Sequence, residues 1–484
     1  MSAIVEALTA SGGPESPGFL NDLVKQLWPN IAVAGACMIK GIAEPMFTVT
    51  LPAPLNSLVF EKIDLGTVPM HFSKVDVHKT ENEGIKLDLD LDWDGECDIE
   101  LNGNMIPKIG VEHVKLRGRL SILLCPLTDV LPLIGAAQVT FINPPYLKLT
   151  FTDAAHIANL SVIDKAIRKV ILSIISSLAV LPNRFLVKLD PTVDFFKTYQ
   201  PPLGVLRLTI ESGSELGENH EGDGGSGGVG GLFKRLGLRD VPDCYVKVNL
   251  SAEAEWRTGT AKNTRHPEWN EAADFVVCDY DQSIAVDVND EDTARKDDDI
   301  GVGVITVKQL LLRDDGRQEL RLTHQEEATN GRLAIRGQFF KFVPDASSLE
   351  GGGGGGESEI VGLLTVLVAS AFGIRGKRQE LKPSVKVTWG EQIFRTAVKS
   401  DAPGVDIENP SFDQAFRVAL RPGMIPGPPV KITLLDGEVE TGAVEVALED
   451  VLTSEELTLQ KFFDVGEGAT VRAGLWLRGT TPLE

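Results

Sequence analysis

Positive charge is what this sequence most lacks. Lys and Arg number 47 against 69 Asp and Glu, a formal net charge of −22 at pH 7. Phosphate recognition needs clustered Lys and Arg, so this balance excludes a nucleic-acid partner. It also argues against constitutive electrostatic docking on an anionic membrane, which would require local neutralisation of acidic surface first. For most of the carboxylates, solubility is role enough. Cysteine is sparse too. The five, at 37, 97, 125, 244 and 278, are odd in number and lack framework spacing, which excludes a disulfide scaffold and fits buried thiols in a reducing compartment. The opening MSAIVEALTASGGPES has neither a basic region nor a long apolar run, so it is no signal peptide or anchor. The best alternative apolar stretch, Ile157 to Leu181, is broken by Asp164, Lys165, Arg168 and Lys169, and no transmembrane helix is expected.

Catalytic signatures are missing as well. There is no nucleophile elbow, phosphate-binding loop or zinc-type Cys/His spacing. The seven His are scattered, and Gly351 to Gly356 lacks the strand–helix context and Lys-Ser/Thr of a phosphate cradle. No carboxylate pair sits in an apolar enclosure. A non-enzymatic protein is the expectation.

What is present divides into about three domains across 484 residues. Residues 1–16 read as a flexible start. Phe19, Leu20, Leu23, Val24, Leu27 and Trp28 then form an amphipathic helix ending near Pro29. From about residue 46 the period becomes two, clearest from Lys86 to Trp93, again from Val114 to Leu124 and from Tyr146 to Phe151. Such strands make an antiparallel sheet with one apolar and one wet face. Ile163, Ile167, Val170, Ile171, Ile174, Ile175 and Leu178 give a helical stripe ahead of Pro182. Residues 17–195 are therefore an α+β domain. Short strands broken by Gly, Asp, Asn and Pro follow over 200–345 and again over 360–482, two all-β sandwiches joined by a Gly-rich linker at 346–359. The sandwiches share an outline, a weak internal repeat.

The first domain resembles the SMP (synaptotagmin-like mitochondrial lipid-binding) domain of extended and plant synaptotagmins. The resemblance is carried by Phe19-Leu20-Asn21 with Trp28-Pro29, Leu65-Gly66-Thr67-Val68-Pro69, Asp88 to Asp98 with Trp93 and Gly95, and Leu181-Pro182-Asn183-Arg184-Phe185-Leu186-Val187, in family order. It implies a tubular, TULIP-like fold of curved antiparallel sheet and helices, with an apolar groove for bound glycerolipid or phospholipid. It also implies a homodimer through this domain and lipid movement between apposed membranes. Leu89, Leu91, Leu116, Leu120, Ile122, Leu149 and Val170 are the candidate groove-lining residues. On alternation alone, an ordinary packed core explains the same side chains.

The sandwiches resemble C2 domains. In the first, Asp243-Cys244-Tyr245-Val246-Lys247 stands where the family has Asp-Pro-Tyr-Val-Lys, and His266-Pro267-Glu268-Trp269-Asn270-Glu271 occupies its Asn-Pro-x-Trp-Asn-Glu turn. The resemblance places calcium carboxylates at Asp290, Asp292 and Asp298, with Asp243 from the neighbouring loop. Calcium takes about six to eight oxygens, and several carboxylates offset its dehydration. Period-two Asp residues at a strand end project to one side, and Asp298 returns across the loop. The expanded first loop, Gly217 to Arg239, leaves the family's fifth ligand unplaced among Asn219, His220 and Asp223. Its Leu232, Phe233, Lys234 and Arg235 suit entry into a headgroup layer beside calcium-bridged phosphates. A disordered insertion fits the same composition equally well. In the second sandwich Lys382-Pro383-Ser384-Val385 replaces the Asp-led motif, and the late loop shrinks to Leu435-Asp436-Gly437-Glu438. That domain is expected not to bind calcium, leaving other contacts or a purely structural role.

Two readings follow. In one, the protein binds and transfers lipid or tethers membranes at contact sites, with calcium-dependent docking to anionic phospholipid through the first C2 domain. In the other, it is a calcium-dependent trafficking adaptor whose first domain is a dimerisation scaffold. The resemblance implies a cytosol-facing location at endoplasmic reticulum–plasma membrane contacts, although the family's N-terminal anchor is not seen in this sequence.

Overall fold

The computed structural model describes residues 14–15, 17–80, 84–104, 106–152, 160–217, 241–251, 254–292, 297–313, 315–349, 359–402 and 405–483. In the first domain the elements are β1 (Pro14–Glu15), α1 (Gly18–Thr50), β2 (Val59–Asp64), β3 (His71–Lys79), β4 (Ile85–Gly103), β5 (Ile106–Leu124), β6 (Ala136–Phe141), β7 (Tyr146–Phe151), α2 (Leu160–Ala179) and β8 (Phe185–Lys188). The strands form one eight-stranded sheet in the order β1-β3-β4-β5-β6-β8, with β2 also on β4 and β7 also on β5. Long alternating runs drive this: β4 and β5 are 19 residues each and pair from Ile85–Leu124 to Gly103–Ile106. The flexible reading of residues 1–16 does not extend to Pro14–Glu15, which pair with Asp76 and Val75.

The first helix differs from its sequence reading. It does not stop at Pro29 but runs unbroken through Pro29 and Pro45 to Thr50. An interior Pro forfeits one helical hydrogen bond, and packing at that point outweighs the loss. Trp28 is buried, its indole N–H donates to Gly66 O at 2.9 Å, and its ring lies 5.6 Å from that of Trp93. Asn21 clamps the preceding turn through both the N–H and the C=O of Phe72. By length and composition alone, Gly18–Thr48 is long and apolar enough to cross a membrane, so the expectation of no spanning segment is not confirmed. Here the helix lies along the sheet, with Ala43 and Phe47 joining Trp28 in the core.

The first sandwich comprises β9 (Gly204–Ser214), β10 (Cys244–Leu250), β11 (Ala254–Arg257), β12 (Glu268–Val277), β13 (Ser283–Asp290), β14 (Asp298–Thr306), β15 (Arg317–His324) and β16 (Glu327–Val343). The second comprises β17 (Gly362–Phe372), β18 (Pro383–Trp389), β19 (Gln392–Arg395), β20 (Ser411–Leu420), β21 (Val430–Asp436), β22 (Val439–Val446), β23 (Thr458–Gly466) and β24 (Ala469–Pro482). The layers β11-β10-β13-β14 and β19-β18-β21-β22 are equivalent, which turns the weak repeat into a structural one. β16 pairs with β24 from Phe340–Pro482 to Val343–Gly479, so the two sandwiches share a continuous sheet. Most of the Gly-rich linker lies outside the described residues, but its ends are tied down. Leu349 is buried, Glu359 meets Arg207, and the Ile360 N–H donates to Asp274.

The wet face of the first domain is not wholly wet. Lys86 reaches Asp279 of the first sandwich at 2.5 Å and Asp88 at 3.0 Å, while Arg119 pairs with Asp76, Asp90 and Asp281. Asn143 accepts from Ser251 Oγ and Ser283 N, and donates to Asp281 O. The second sandwich is held by Lys188–Asp413 and Arg472–Asp194, each at 2.8 Å, and by Phe195 and Phe196 against Leu367 and Ala369. No motif in the sequence announced these seams.

Candidate lipid and calcium sites

The concave face of the first domain is built by register. Leu87 opposes Ile122, Leu89 opposes Leu120, Trp93 opposes Leu116, and Val114 opposes Leu149 across neighbouring strands. Period-two geometry puts all of these on one side of the sheet. α1 and α2 cover that side. Leu149 and Val170 join Trp28, Phe47 and Trp93 in one apolar cluster, and Leu89 and Leu91 join Phe72, Phe141 and Val180 in a second. Leu116 packs against both, while Leu120 and Ile122 pack against the second only. All seven candidate groove residues therefore lie in apolar clusters between sheet and helices. They are not equally enclosed: Leu89, Leu91, Leu149 and Val170 are buried, whereas Leu116, Leu120 and Ile122 are half-buried.

At the loop end of the first sandwich, pairing brings three candidate ligands together. Cys244 opposes Asp290 and Asp290 opposes Asp298, so Asp243, Asp290 and Asp298 share one edge of the sheet. The Asp243 N–H donates to Asp290 Oδ1 at 2.7 Å, and Asp243 Oδ1 accepts from the Asn263 N–H at 2.7 Å. Asp292 is exposed, two residues beyond Asp290, and its N–H donates to Asp297 Oδ1. Among the described residues, no group of three His, Cys, Asp or Glu side chains is drawn close enough to hold a metal ion. In kind, however, the donors fit a hard cation that prefers carboxylate oxygen. Cys244, next to Asp243 and opposite Asp290, is buried, and burial and the charges of Asp290 and Asp243 push its thiol up to about 12. Asn219, His220, Asp223 and the Leu232, Phe233, Lys234 and Arg235 segment lie outside the described residues.

Sequence reasoning missed a tether on the segment between Asp290 and Asp298. The Tyr245 hydroxyl donates to Asp297 Oδ2 at 2.6 Å, and the Arg257 guanidinium lies 3.6 Å over the Tyr245 ring while pairing with Glu291. Burial, followed by the Asp297 carboxylate that accepts its proton, pushes the Tyr245 phenol up to about 12. The only available sequence signal was Tyr245 within the Asp243–Lys247 motif.

The second sandwich repeats the frame with Lys382 in the place of Asp243. The Lys382 N–H donates to Asp436 Oδ1 at 2.6 Å, as Asp243 does to Asp290, and the Gly437 N–H donates to Lys382 O, as Glu291 does to Asp243. Thr396 caps Val385 as Thr258 caps Val246. Asp436 pairs directly with Val439, leaving a turn of Gly437 and Glu438 that Arg395 occupies.

A curled sheet closed by helices, followed by two sandwiches of equivalent frame, defines a lipid-binding-type domain with tandem C2-type modules. Comparison with known proteins agrees. Residues 14–190 match the synaptotagmin-like mitochondrial-lipid-binding domain, and 204–322 and 362–462 match the C2 domain. The chain is therefore an SMP–C2–C2 protein of extended-synaptotagmin type. It is 25% identical over 492 residues to extended synaptotagmin-3 of Xenopus tropicalis, covering 95% of this chain and 52% of that protein. It is 25% identical over 487 residues to human extended synaptotagmin-2, covering 96% and 50%. The solved structure of extended synaptotagmin-2 that holds its SMP domain and two C2 domains shares the fold, with a TM-score of 0.64 at 23% identity, covering 97% of this chain and 100% of that one. The chain thus spans about half the length of the curated relatives it matches.

Proposed function

We propose that this protein binds a glycerolipid or phospholipid in its first domain and bridges membranes for lipid transfer, acting without catalysis. The observation that supports this best is the uneven enclosure of the apolar concave face. A solid core buries its Leu and Ile side chains fully, whereas Leu116, Leu120 and Ile122 pack against the apolar clusters and are only half-buried. An acyl chain laid along them would gain about 0.8 kcal/mol for each CH₂ removed from water. Dimerisation through this domain, as its family likeness suggests, would lengthen the apolar path between two membranes.

Docking in this reading belongs to the first C2 domain. Asp243, Asp290, Asp292 and Asp298 would hold calcium, which would cancel their charge and supply a bridge to anionic headgroups. A chain of net charge −22 gains from such local reversal. The cytosolic face of endoplasmic reticulum–plasma membrane contacts is the proposed setting. Lipid extraction and native mass spectrometry of the purified chain test the first domain. Stoichiometric glycerolipid is expected, and a lipid-free, fully packed domain favours the trafficking-adaptor reading. Binding to anionic vesicles that is indifferent to chelator removes the calcium role.

A further inference from the structure

One end of the first domain carries a feature that neither the lipid groove nor the calcium loops use. Between β5 and β6 the chain turns through Pro126-Leu127-Thr128-Asp129-Val130-Leu131-Pro132-Leu133-Ile134. Val130 is 73% exposed, Leu131 83% and Leu133 51%. Water-facing turns ordinarily use Gly, Asn, Asp and Ser. Here a Leu takes φ 72°, a conformation that suits Gly or Asn better. The turn is nevertheless well tied. The Thr128 N–H donates to Leu133 O at 2.9 Å, the Leu133 N–H to Val130 O at 2.7 Å, and the Gly135 N–H to Pro126 O at 2.8 Å. Its apolar side chains are thus held outward by the backbone. At its base opens a cavity of about 360 Å³ lined by Val77, His78, Lys79, Gly84, Ile85 and Leu127.

We propose that this tip inserts into the surface of a neutral phospholipid bilayer, independently of calcium. Size and charge select that occupant. A stable protein interface buries roughly 800 Å² per partner, more than one tight turn offers, whereas apolar side chains entering a headgroup layer need reach only about 5–10 Å. Asp129 is the sole charge between Pro126 and Ile134, so the turn itself offers anionic lipid no attraction and its contact is apolar, with Lys79 in the cavity lining beside it. Tip and cavity together would place the end of the tubular domain, and a pocket beside it, at the membrane surface. The C2 loops would not be needed for this contact.

The test is flotation of the full chain with pure phosphatidylcholine vesicles in the presence of EGTA. The wild-type chain is expected to float, and Leu131→Ser with Leu133→Ser to partition roughly 30- to 100-fold more weakly. Val304→Ser, an apolar site on β14 whose exposure falls between those of Leu131 and Leu133, serves as the unchanged control. In a Cys37→Ser background, a Leu131→Cys variant carrying an environment-sensitive dye should shift to the blue on the same vesicles. A wild type that stays in solution, equal flotation of the Ser variant, or a dye that remains in water overturns the proposal. So does a Ser variant whose only change is its oligomeric mass. Co-purified lipid is read separately, so failure here leaves the groove reading standing.

Discussion

Lys382 occupies, in the second sandwich, the backbone position that Asp243 occupies in the first, and it donates through its N–H to Asp436 as Asp243 does to Asp290. One frame therefore carries opposite charges in the two domains. The difference in loop length compounds this. Seven residues separate Asp290 from Asp298, its ladder partner, whereas only Gly437 and Glu438 separate Asp436 from Val439.

Calcium binding should consequently reside in one domain. Calorimetric titration of the full chain should lose its calcium heat with Asp290→Asn and Asp292→Asn together. Adding Lys382→Asp in that background should restore nothing, since no carboxylate returns from a two-residue turn. Recovered calcium heat would contradict the assignment.

The lipid groove has its own variant. Leu120→Trp places a larger ring at a half-buried site, where overpacking typically costs about 1–3 kcal/mol. Lipid recovered by extraction should fall several-fold while circular dichroism stays unchanged. Undiminished lipid would put the ligand elsewhere.

The seam between the first domain and the first sandwich predicts a loss of stability. Lys86→Met leaves Asp279 enclosed without its cation and should cost about 2–4 kcal/mol in urea unfolding. Lys86→Met with Asp279→Leu should recover only part of that, because Asp279 no longer lies unpaired while the buried Asp88 still loses its Lys86 contact. A single variant as stable as wild type would show that the seam contributes little.

The same pair sets a pH dependence. Burial pushes the Asp279 carboxyl up, but Lys86 and the Asp281 N–H outweigh it, and the group is held below the usual carboxylate range. A depressed folded-state value stabilises at pH above the unfolded value, about 4, and that contribution disappears as pH falls through the lower folded value. Burial likewise lowers Lys86, yet Asp279 and Asp88 raise it overall, so its contribution persists until pH rises past the ordinary Lys value. Unfolding free energy should be flat near neutrality and fall below about pH 4, less so in the Lys86→Met, Asp279→Leu chain.

Thiol reactivity offers a check on burial. Cys37 is exposed, while Cys97, Cys125 and Cys244 are buried. Burial pushes Cys97 up to about 11. Iodoacetamide on the native chain should modify Cys37 first, with those three protected until denaturant is added. Early labelling of Cys244, read by peptide mass spectrometry, would show the calcium edge open.

Local pattern alone carried a good part of this protein. Alternation in Lys86–Trp93 and Val114–Leu124 foretold β4 and β5, because a pleated strand exposes successive side chains to opposite faces. Of the acidic residues singled out, pairing aligns Asp243, Asp290 and Asp298 on one sheet edge, whereas Asp292 lies beyond the strand that ends at Asp290. Pro29 misled, since a breaker rule sees one lost hydrogen bond but not Trp28 settling against Trp93 and Gly66. The tether from Tyr245 to Asp297 and the pairing of Lys86 with Asp279 were likewise invisible, the latter joining residues 193 positions apart. Periodicity and spacing are properties of neighbours in the chain, so the sequence by itself determined the strands and the two sandwiches. Which charged face is covered, which helix runs on, and which apolar residues stay half-open depend on surfaces that meet only when distant segments pack. Those were decided by the tertiary structure.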